Sequence, residues 1–211
     1  MRVISVNVGM PREVPWRGGT VRTGIFKESV AAPLTLRRLN FEGDGQADLT
    51  VHGGPDKAVY AYPSEHYNAW RSRLGRDLAP GAFGENLTTG GLVEDAVHIG
   101  DEFRVGSARL VVTQPRLPCY KLGIRFGLPG MVRMFLQAGW PGIYFAVAEE
   151  GTVGPGDAIE RVADGENRIT VAAMFRLVLD QDADPAELRR LLEVRALAAV
   201  WREELEARLG I

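Results

Sequence analysis

The single cysteine of this 211-residue chain, Cys119, stands in the stretch T-Q-P-R-L-P-C-Y-K-L-G at residues 113–123. A thiolate is both a nucleophile and a soft metal ligand, and the basic neighbours Arg116 and Lys121 favour this charged form if they lie close to the sulfur. A proline before and after Arg116 restricts the backbone. These features favour a reactive or metal-binding thiol over the alternative, a buried and inert cysteine.

A second polar stretch, D-G-Q-A-D-L-T-V-H-G-G-P-D-K-A-V at residues 44–59, places flexible backbone beside charged groups. Glycines let backbone N–H groups approach an anion closely, and a nearby lysine adds a point charge. The pattern G-x-x-x-x-G-K-[ST] is absent, so the stretch is either another kind of anion-binding loop or an ordinary polar turn. Its candidate site residues are His52, Gly53, Gly54, Asp56 and Lys57.

A third stretch, G-A-F-G-E-N-L-T-T-G-G at residues 81–91, carries amide and hydroxyl side chains between glycines. Asn86 and Thr88 could hydrogen-bond the edge of a heterocycle. Side chains of these types also satisfy the backbone of their own loop, so the sequence leaves both roles open.

The basic residues are concentrated in two segments, although the net charge of the chain is -2. Six basic and two acidic residues give positions 12–38 a charge of +4, and five basic residues with no acidic one give positions 104–125 a charge of +5. If these segments meet, they form a basic pocket suited to a phosphate-bearing ligand; otherwise they are scattered, solvated arginines. The overall charge argues against a nucleic-acid polymer as the partner.

The elements that must position these residues are mostly strands. Up to about residue 163, short β-prone runs alternate with Gly and Pro, which predicts a mainly β fold built as a closed or partly closed β-barrel. The predicted strands are 3–8, 58–62, 96–99, 102–105, 109–113, 142–148 and 158–162. Peripheral helices are predicted at 64–75 and from about 129 to 139.

The C-terminal part of the chain changes to a helical pattern. Asp184, Pro185 and Glu187 fit the N-cap, N1 and N3 positions of a helix, and leucines follow at helical spacing with a break near 194–196. We therefore predict two domains, a β-barrel at 1–165 and a small three-helix domain at 166–211.

Several classes of protein are excluded by what the sequence lacks. One cysteine cannot form an internal disulfide or a cysteine-based zinc module, and neither G-x-S-x-G nor H-E-x-x-H occurs. No apolar run approaches the length of a membrane span, and the N-terminal alternation is too short for a signal peptide. We expect a cytoplasmic protein that makes no contact with a membrane.

Several motifs in one order resemble the MOSC domain, named after the C-terminal domain of molybdenum cofactor sulfurase. They are T-G-I-F-K at position 23, the stretch at 44–59 followed by Y-P-S-E-H-Y-N-A-W, G-E-N-L-T-T at 84 and Q-P-R-L-P-C-Y-K-L at 114. The chain is most similar to the YiiM-like branch, whose members carry a C-terminal three-helix extension.

The resemblance implies a MOSC-type β-barrel whose cleft holds the molybdenum cofactor (molybdopterin), with Cys119 ligating the metal. It also implies reduction of N-hydroxylated compounds, such as hydroxylaminopurine bases, to amines, which is a detoxifying activity. His52 or Asp56 is expected to transfer protons. The groups expected to bind the cofactor's phosphate and pterin are Lys27, Gly53, Gly54, Lys57, Asn86, Thr88, Gln114, Arg116 and Lys121.

Two other functions stay open at this point. The chain could be a non-catalytic module that carries the cofactor, or sulfur as a persulfide on Cys119, to another protein. It could also be a scaffold whose basic cleft binds a different anion. As an enzyme it would need a separate reductase to donate electrons, since flavin and dinucleotide fingerprints and iron–sulfur cysteines are missing. A homodimer is a further expectation.

Overall fold

The structure, a computed structural model, describes residues 1–48 and 53–211. Strands dominate its first 163 residues, and short helices lie between and after them. The strands in this described part are β1 Arg2–Val8, β2 Arg12–Trp16, β3 Gly19–Thr23, β4 Glu28–Val30, β5 Leu34–Leu36, β6 Val59–Pro63, β7 Leu87–Gly90, β8 Glu102–Val105, β9 Ala108–Pro115, β10 Ile143–Glu149, β11 Gly151–Val153 and β12 Ile159–Ala163. The helices are α1 Tyr67–Leu74, α2 Tyr120–Phe126, α3 Met131–Ala138, α4 Val171–Leu179, α5 Pro185–Leu192 and α6 Ala199–Leu209.

Eight of the strands form one sheet in the order β12-β8-β9-β10-β6-β7-β1-β4. All neighbours are antiparallel except β6 and β7, which run parallel and are joined by the crossover that contains α1. Two small sheets, β11-β5 and the hairpin β2-β3, accompany it. The predicted mainly β fold with peripheral helices is therefore confirmed, whereas the sheet order has two ends and a closed barrel is not confirmed.

Strand β1 has two different neighbours along one edge. Its last three residues pair with β4, while its start is bonded to residues 156–159. Val3 N donates to Asp157 O at 2.9 Å, Gly156 N donates to Val3 O at 2.8 Å, and Ile159 N donates to Met1 O at 2.9 Å. The sheet thus curls until the segment before β12 reaches β1.

Two apolar clusters lie on this framework. The larger one packs the aliphatic side chains of the sheet against the C-terminal helices, with Leu110, Met174 and Leu205 among its buried members. The second is aromatic and lies between β6 and the helices α1, α2 and α3; Trp70 and Phe83 are fully buried there. No helix in the described residues is long and apolar enough to cross a membrane.

The C-terminal helices begin where local capping chemistry predicts. Asp184 Oδ1 accepts a hydrogen bond from Ala186 N at 2.8 Å, with Pro185 as the first helical residue, and the chain breaks between α5 and α6 as expected. Thr170 caps α4 in the same way, because its hydroxyl accepts from Ala173 N at 3.0 Å.

One predicted strand is wrong and several elements were missed. Residues 96–99 form a turn, in which His98 makes an isolated bridge to Thr170. The missed elements include the β2-β3 hairpin, whose first strand contains a proline, and the helix α2, whose start follows the proline-rich segment before Cys119.

Candidate active site

A cleft opens between the sheet and α2, and it brings together residues from distant parts of the chain. Its walls include Thr23 at the end of β3, Ile25, Gly45 and Gln46, Tyr60 of β6 and Tyr144 of β10. Seven predicted site residues line it as well, namely Lys27, Gly53, Lys57, Asn86, Arg116, Cys119 and Lys121. The two basic segments therefore meet, which is the first of the two arrangements that their charge left open.

All three lysines of the sequence, out of 25 basic residues, line this cleft. The Lys121 side chain is only 8% exposed, and it forms neither an ion pair nor a hydrogen bond with a residue in the described part of the chain. Lys57 is half-buried, and burial lowers its pKa while the adjacent Asp56 opposes that shift. The cleft thus concentrates positive charge that an anionic ligand would neutralise.

Cys119 is the N-cap residue of α2 and joins it to the segment that follows β9. Its thiol is free, half-buried and part of the cleft wall. The backbone is extended at this position, with φ of -113° and ψ of 173°, and the residue lines the cleft just before the helix begins. A single protein thiol is thereby presented beside several cations.

Arg116 is fixed beneath the cleft by the aromatic cluster. Its Nη1 donates to Phe83 O at 2.5 Å, and its guanidinium carbon lies 4.8 Å from the centroid of the Tyr60 ring. Burial acts to lower the pKa of Arg116, but Tyr60, Tyr144 and Cys119 outweigh it and the pKa is raised. The guanidinium therefore remains charged at all relevant pH values and attracts an anionic sulfur.

Lys27 is held by a buried ion pair with Asp44. Asp44 Oδ1 also accepts from Gly9 N at 2.9 Å, and its Oδ2 accepts from Asn86 Nδ2 at 2.8 Å. Burial lowers the pKa of Lys27, against the attraction of Asp44. Because its charge is already paired, Lys27 contributes less positive charge to the cleft than Lys121 does.

Both ends of the Asn86 side-chain amide form hydrogen bonds within the protein. Its Oδ1 accepts from Tyr60 N at 3.1 Å, while its Nδ2 donates to Asp44. These contacts hold the 84–86 loop against β6, where the edge of Asn86 forms part of the cleft wall.

The glycine pair at the cleft rim has backbone conformations that favour glycine. Gly53 has a φ of 132° and Gly54 a φ of 85°, which residues with a side chain rarely adopt. Gly53 lines the cleft, and Gly54 lines a neighbouring hollow beside Leu39 and Asn40.

Besides Gly54, three predicted site residues in the described part of the chain do not line the cleft. The Thr88 hydroxyl donates to Glu85 at 2.9 Å and accepts from Asn7 Nδ2 at 3.1 Å, inside the sheet. Gln114 accepts from Trp201 Nε1 at 2.9 Å, and Asp56 Oδ2 accepts from Ala199 N at 3.0 Å. Gln114 and Asp56 thus connect the cleft side of the sheet to α6.

The predicted His52 lies outside the described residues. The other two histidines are partly buried away from the cleft. His66 Nε2 lies 2.8 Å from Glu94, and His98 Nδ1 lies 3.3 Å from Asp101. Each is thus paired with a carboxylate in the scaffold.

Sequence reasoning missed the two tyrosines and Asp44 as components of the site. Burial raises the pKa of Tyr144, and the nearby Arg116 opposes that shift, so its phenol stays protonated. The Tyr60 and Tyr144 rings are 5.1 Å apart, which forms one aromatic wall. In the sequence both residues read simply as β-strand positions, and only the cross-strand pairing of Tyr60 with Tyr144 brings them together.

Comparison with known proteins identifies the family. The MOSC domain model matches residues 48–160 of this chain. The chain belongs to the MOSC domain family. A second model, the YiiM-like 3-alpha helix domain, matches residues 169–210, which contain α4, α5 and α6.

Two similar proteins match nearly the whole of this MOSC chain, and a third matches 67% of it. It is 46% identical to the uncharacterized protein YflK of Bacillus subtilis (strain 168), over 95% of this chain and 90% of that protein. The crystal structure of YiiM from Geobacillus stearothermophilus superposes with a TM-score of 0.84 at 35% identity, covering 99% of this chain and 98% of the other. A protein named "Reductase" from Gibberella moniliformis (strain M3125 / FGSC 7600) is 33% identical over 67% of this chain, which corresponds to 26% of that protein.

The MOSC cleft fits an anionic, metal-carrying cofactor. Within residues 1–48 and 53–211, no three His, Cys, Asp or Glu side chains are grouped to hold a metal ion. The cleft instead offers one thiol together with the cations of Lys57, Arg116 and Lys121. A soft metal that arrives with its own organic ligands and a phosphate matches this donor set.

Proposed function

We propose that this protein is a molybdenum-cofactor-dependent reductase that converts N-hydroxylated compounds, such as hydroxylaminopurine bases, to amines. The observation that carries the proposal is the free thiol of Cys119 in the wall of a cleft lined by every lysine of the chain. Membership of the MOSC family and the similarity to a protein named "Reductase" support it. The activity would detoxify N-hydroxylated bases in the cytoplasm.

Reduction of R-NHOH to R-NH2 and water consumes two electrons and two protons. The bound cofactor would supply the redox change and accept the departing oxygen. Cys119 would hold its metal, and Lys57, Lys121 and the backbone N–H groups at Gly53 would bind its phosphate. We propose that a separate protein donates the electrons.

The remaining cleft residues would orient the cofactor and the substrate and neutralise negative charge. Arg116 would stabilise the anionic sulfur ligand, while the ring wall formed by Tyr60 and Tyr144 would stack against a flat substrate. Asn86 and Lys27 would hold the loops that shape the pterin pocket. Because the Asp56 carboxylate is bonded to Ala199 N, we propose a positioning role for Asp56 and assign proton transfer to His52.

The test is metal analysis of protein purified from cells that make the cofactor. We expect about one molybdenum per chain, loss of metal in Cys119→Ser, and reduction of 6-hydroxylaminopurine by the wild type with an artificial electron donor. Circular dichroism of Cys119→Ser controls for folding. Metal-free wild-type protein that carries a labile persulfide on Cys119 would contradict the reductase and identify a sulfur carrier instead.

A further inference from the structure

A second basic cluster, Arg12, Arg76 and Arg125, borders the cleft beside α2. The guanidinium carbon of Arg12 lies 4.3 Å from the centroid of the Phe26 ring, and that of Arg125 lies 5.2 Å from the same ring. Arg76 donates to Phe126 O at 3.0 Å, at the C-terminal end of the helix that contains Arg125. Three guanidiniums are therefore gathered in one region.

This cluster lacks a bound carboxylate. Arg12 and Arg125 form neither an ion pair nor a side-chain hydrogen bond with any residue that the structure describes. The Nε of Arg125 is buried and has no hydrogen-bond partner among the residues of 1–48 and 53–211. Burial lowers the pKa of Arg125; Glu85 opposes the shift from a distance, and Arg12 and Arg76 add to it. Gathered cations with unused donors are the arrangement that a phosphate stabilises.

The cluster is continuous with the cleft. Lys121 and Arg125 are four positions apart on α2 and so share one face of the helix. Phe26 stands between two residues that line the cleft. Pro11, next to Arg12, packs on Gly45 of the cleft wall, where an added Cβ would lie 2.9 Å from the Pro11 Cδ. A ligand in the cleft can therefore reach the arginines without leaving the protein surface.

The separation suits a nucleotide. Cys119 and Arg125 are six positions apart, which is about 9 Å along a helix. A purine bound with its hydroxylamino group at the Cys119 end of α2 would extend its ribose along this length. Its 5′-phosphate would then lie beside the cluster.

We propose that Arg12, Arg76 and Arg125 form a substrate-phosphate subsite, which makes N-hydroxylated nucleoside monophosphates the substrate class of this cleft. The inference rests on the proposed reductase function and adds to it a binding site separate from the cofactor's. The substrate's phosphate and the cofactor's phosphate share one chemistry, so the test must separate them.

Binding is measured first, by titration calorimetry with adenosine 5′-monophosphate, adenosine and inorganic phosphate. We expect the monophosphate to bind the wild type at least about tenfold more tightly than adenosine. This preference should disappear in Arg12→Gln/Arg125→Gln and persist in Arg133→Gln, which removes an exposed arginine of α3. Equal binding of monophosphate and adenosine to the wild type would overturn the subsite. If the double variant does not fold, the same binding preference is measured with Arg12→Gln alone. Arg12 is exposed, and circular dichroism checks that this variant folds.

Assays of reduction and of metal content then show whether the cluster binds the phosphate of the substrate or that of the cofactor. We expect kcat/KM for the monophosphate of 6-hydroxylaminopurine ribonucleoside to fall at least about tenfold in the double variant, with kcat/KM for the free base and molybdenum content unchanged. Loss of molybdenum in the variant would assign the cluster to the cofactor and overturn the proposal. If the wild type reduces neither compound, the reductase proposal fails, and the binding experiment still decides the subsite.

Discussion

The carboxylate of Asp56 accepts a hydrogen bond from the backbone amide of Ala199 at 3.0 Å, across 143 positions of sequence. Ala199 is the first residue of α6, so a residue of the cleft-rim turn caps a helix of the C-terminal unit. The Asp56 carbonyl in turn accepts from the Thr113 hydroxyl at 2.7 Å and from Gln114 Nε2 at 3.3 Å. The helical unit therefore holds the loop that carries Gly53 and Lys57.

Replacing Asp56 should loosen both partners of this contact. We expect Asp56→Ala to lower the free energy of unfolding by about 1 kcal/mol, the usual cost of a lost N-cap, and to increase hydrogen exchange at residues 53–57 as well as at the start of α6. The matched control is Asp184→Ala, which removes the cap of α5. The control should cost similar stability without changing exchange at 53–57; equal effects of both variants on that loop would contradict the connection.

Trp201 provides the second connection, through the bond from its indole N–H to Gln114 Oε1 at 2.9 Å. Trp201→Phe keeps most of the packing and deletes the donor, so we expect a loss of about 0.5–1.5 kcal/mol in urea unfolding. Trp201→Phe in the Gln114→Ala background should cost less, because the bond is already absent. Additive effects of the two substitutions would show that the contact contributes nothing.

Lys27 and Asp44 form a buried ion pair, and their contributions to the free energy of unfolding should be strongly coupled. Lys27→Met leaves the Asp44 charge buried with Gly9 N and Asn86 Nδ2 as its remaining donors in the described part of the chain, so we expect a loss of about 3–5 kcal/mol in unfolding free energy. Lys27→Met/Asp44→Asn should recover part of that loss. A double-mutant cycle by urea denaturation measures the coupling, and a value near zero would contradict the pairing.

Lys121 should bind the ligand rather than stabilise the fold. Lys121 is only 8% exposed and its ammonium has no partner in the described residues, so Lys121→Met should leave stability unchanged or raise it. We expect the same variant to lose at least about tenfold in affinity for the anionic ligand of the cleft, measured as retained molybdenum and pterin. Arg133→Met is the charge-matched control and should retain both; retention by Lys121→Met would contradict the role.

Lys57 should titrate below its ordinary pKa of 10.5, because burial disfavours its charged form. The folded protein then holds this proton less tightly than the unfolded chain, so the free energy of unfolding rises with pH from the folded pKa up to 10.5. Lys57→Met should flatten this rise. Because the chain has three lysines, ¹⁵N-lysine NMR resolves the titration directly, and an Nζ of Lys57 that titrates at or above 10.5 would contradict the shift.

Capping and charge made parts of this structure predictable. The start of α5 follows from the local signature at Asp184 and Pro185, which needs no tertiary information. A basic cleft was one of the two arrangements that the charges of positions 12–38 and 104–125 allowed, and the way the chain folds decides between them. Cys119 stood out in the sequence because polar and basic side chains surround the single thiol.

The direction in which a strand side chain points was not predictable from type alone. Thr88 and Gln114 have the chemistry to bind a pterin, yet their pairing partners inside the sheet and on α6 turn them away from the cleft. The pairing of Lys27 with Asp44 likewise depends on how two loops meet. The start of α2 was hidden because prolines before Cys119 read as extended chain, while the helix begins one residue after it.

The parallel pairing of β6 with β7 has a consequence for the order of folding. Tyr60 and Asn86 contact each other only when the crossover containing α1 has packed, and the rest of the cleft comes from five further regions of the chain. Contacts so distant in sequence form late, after the costly closure of long loops. An anion that binds this cleft therefore binds the native state alone, and its concentration in the cell sets part of the protein's lifetime against unfolding and proteolysis.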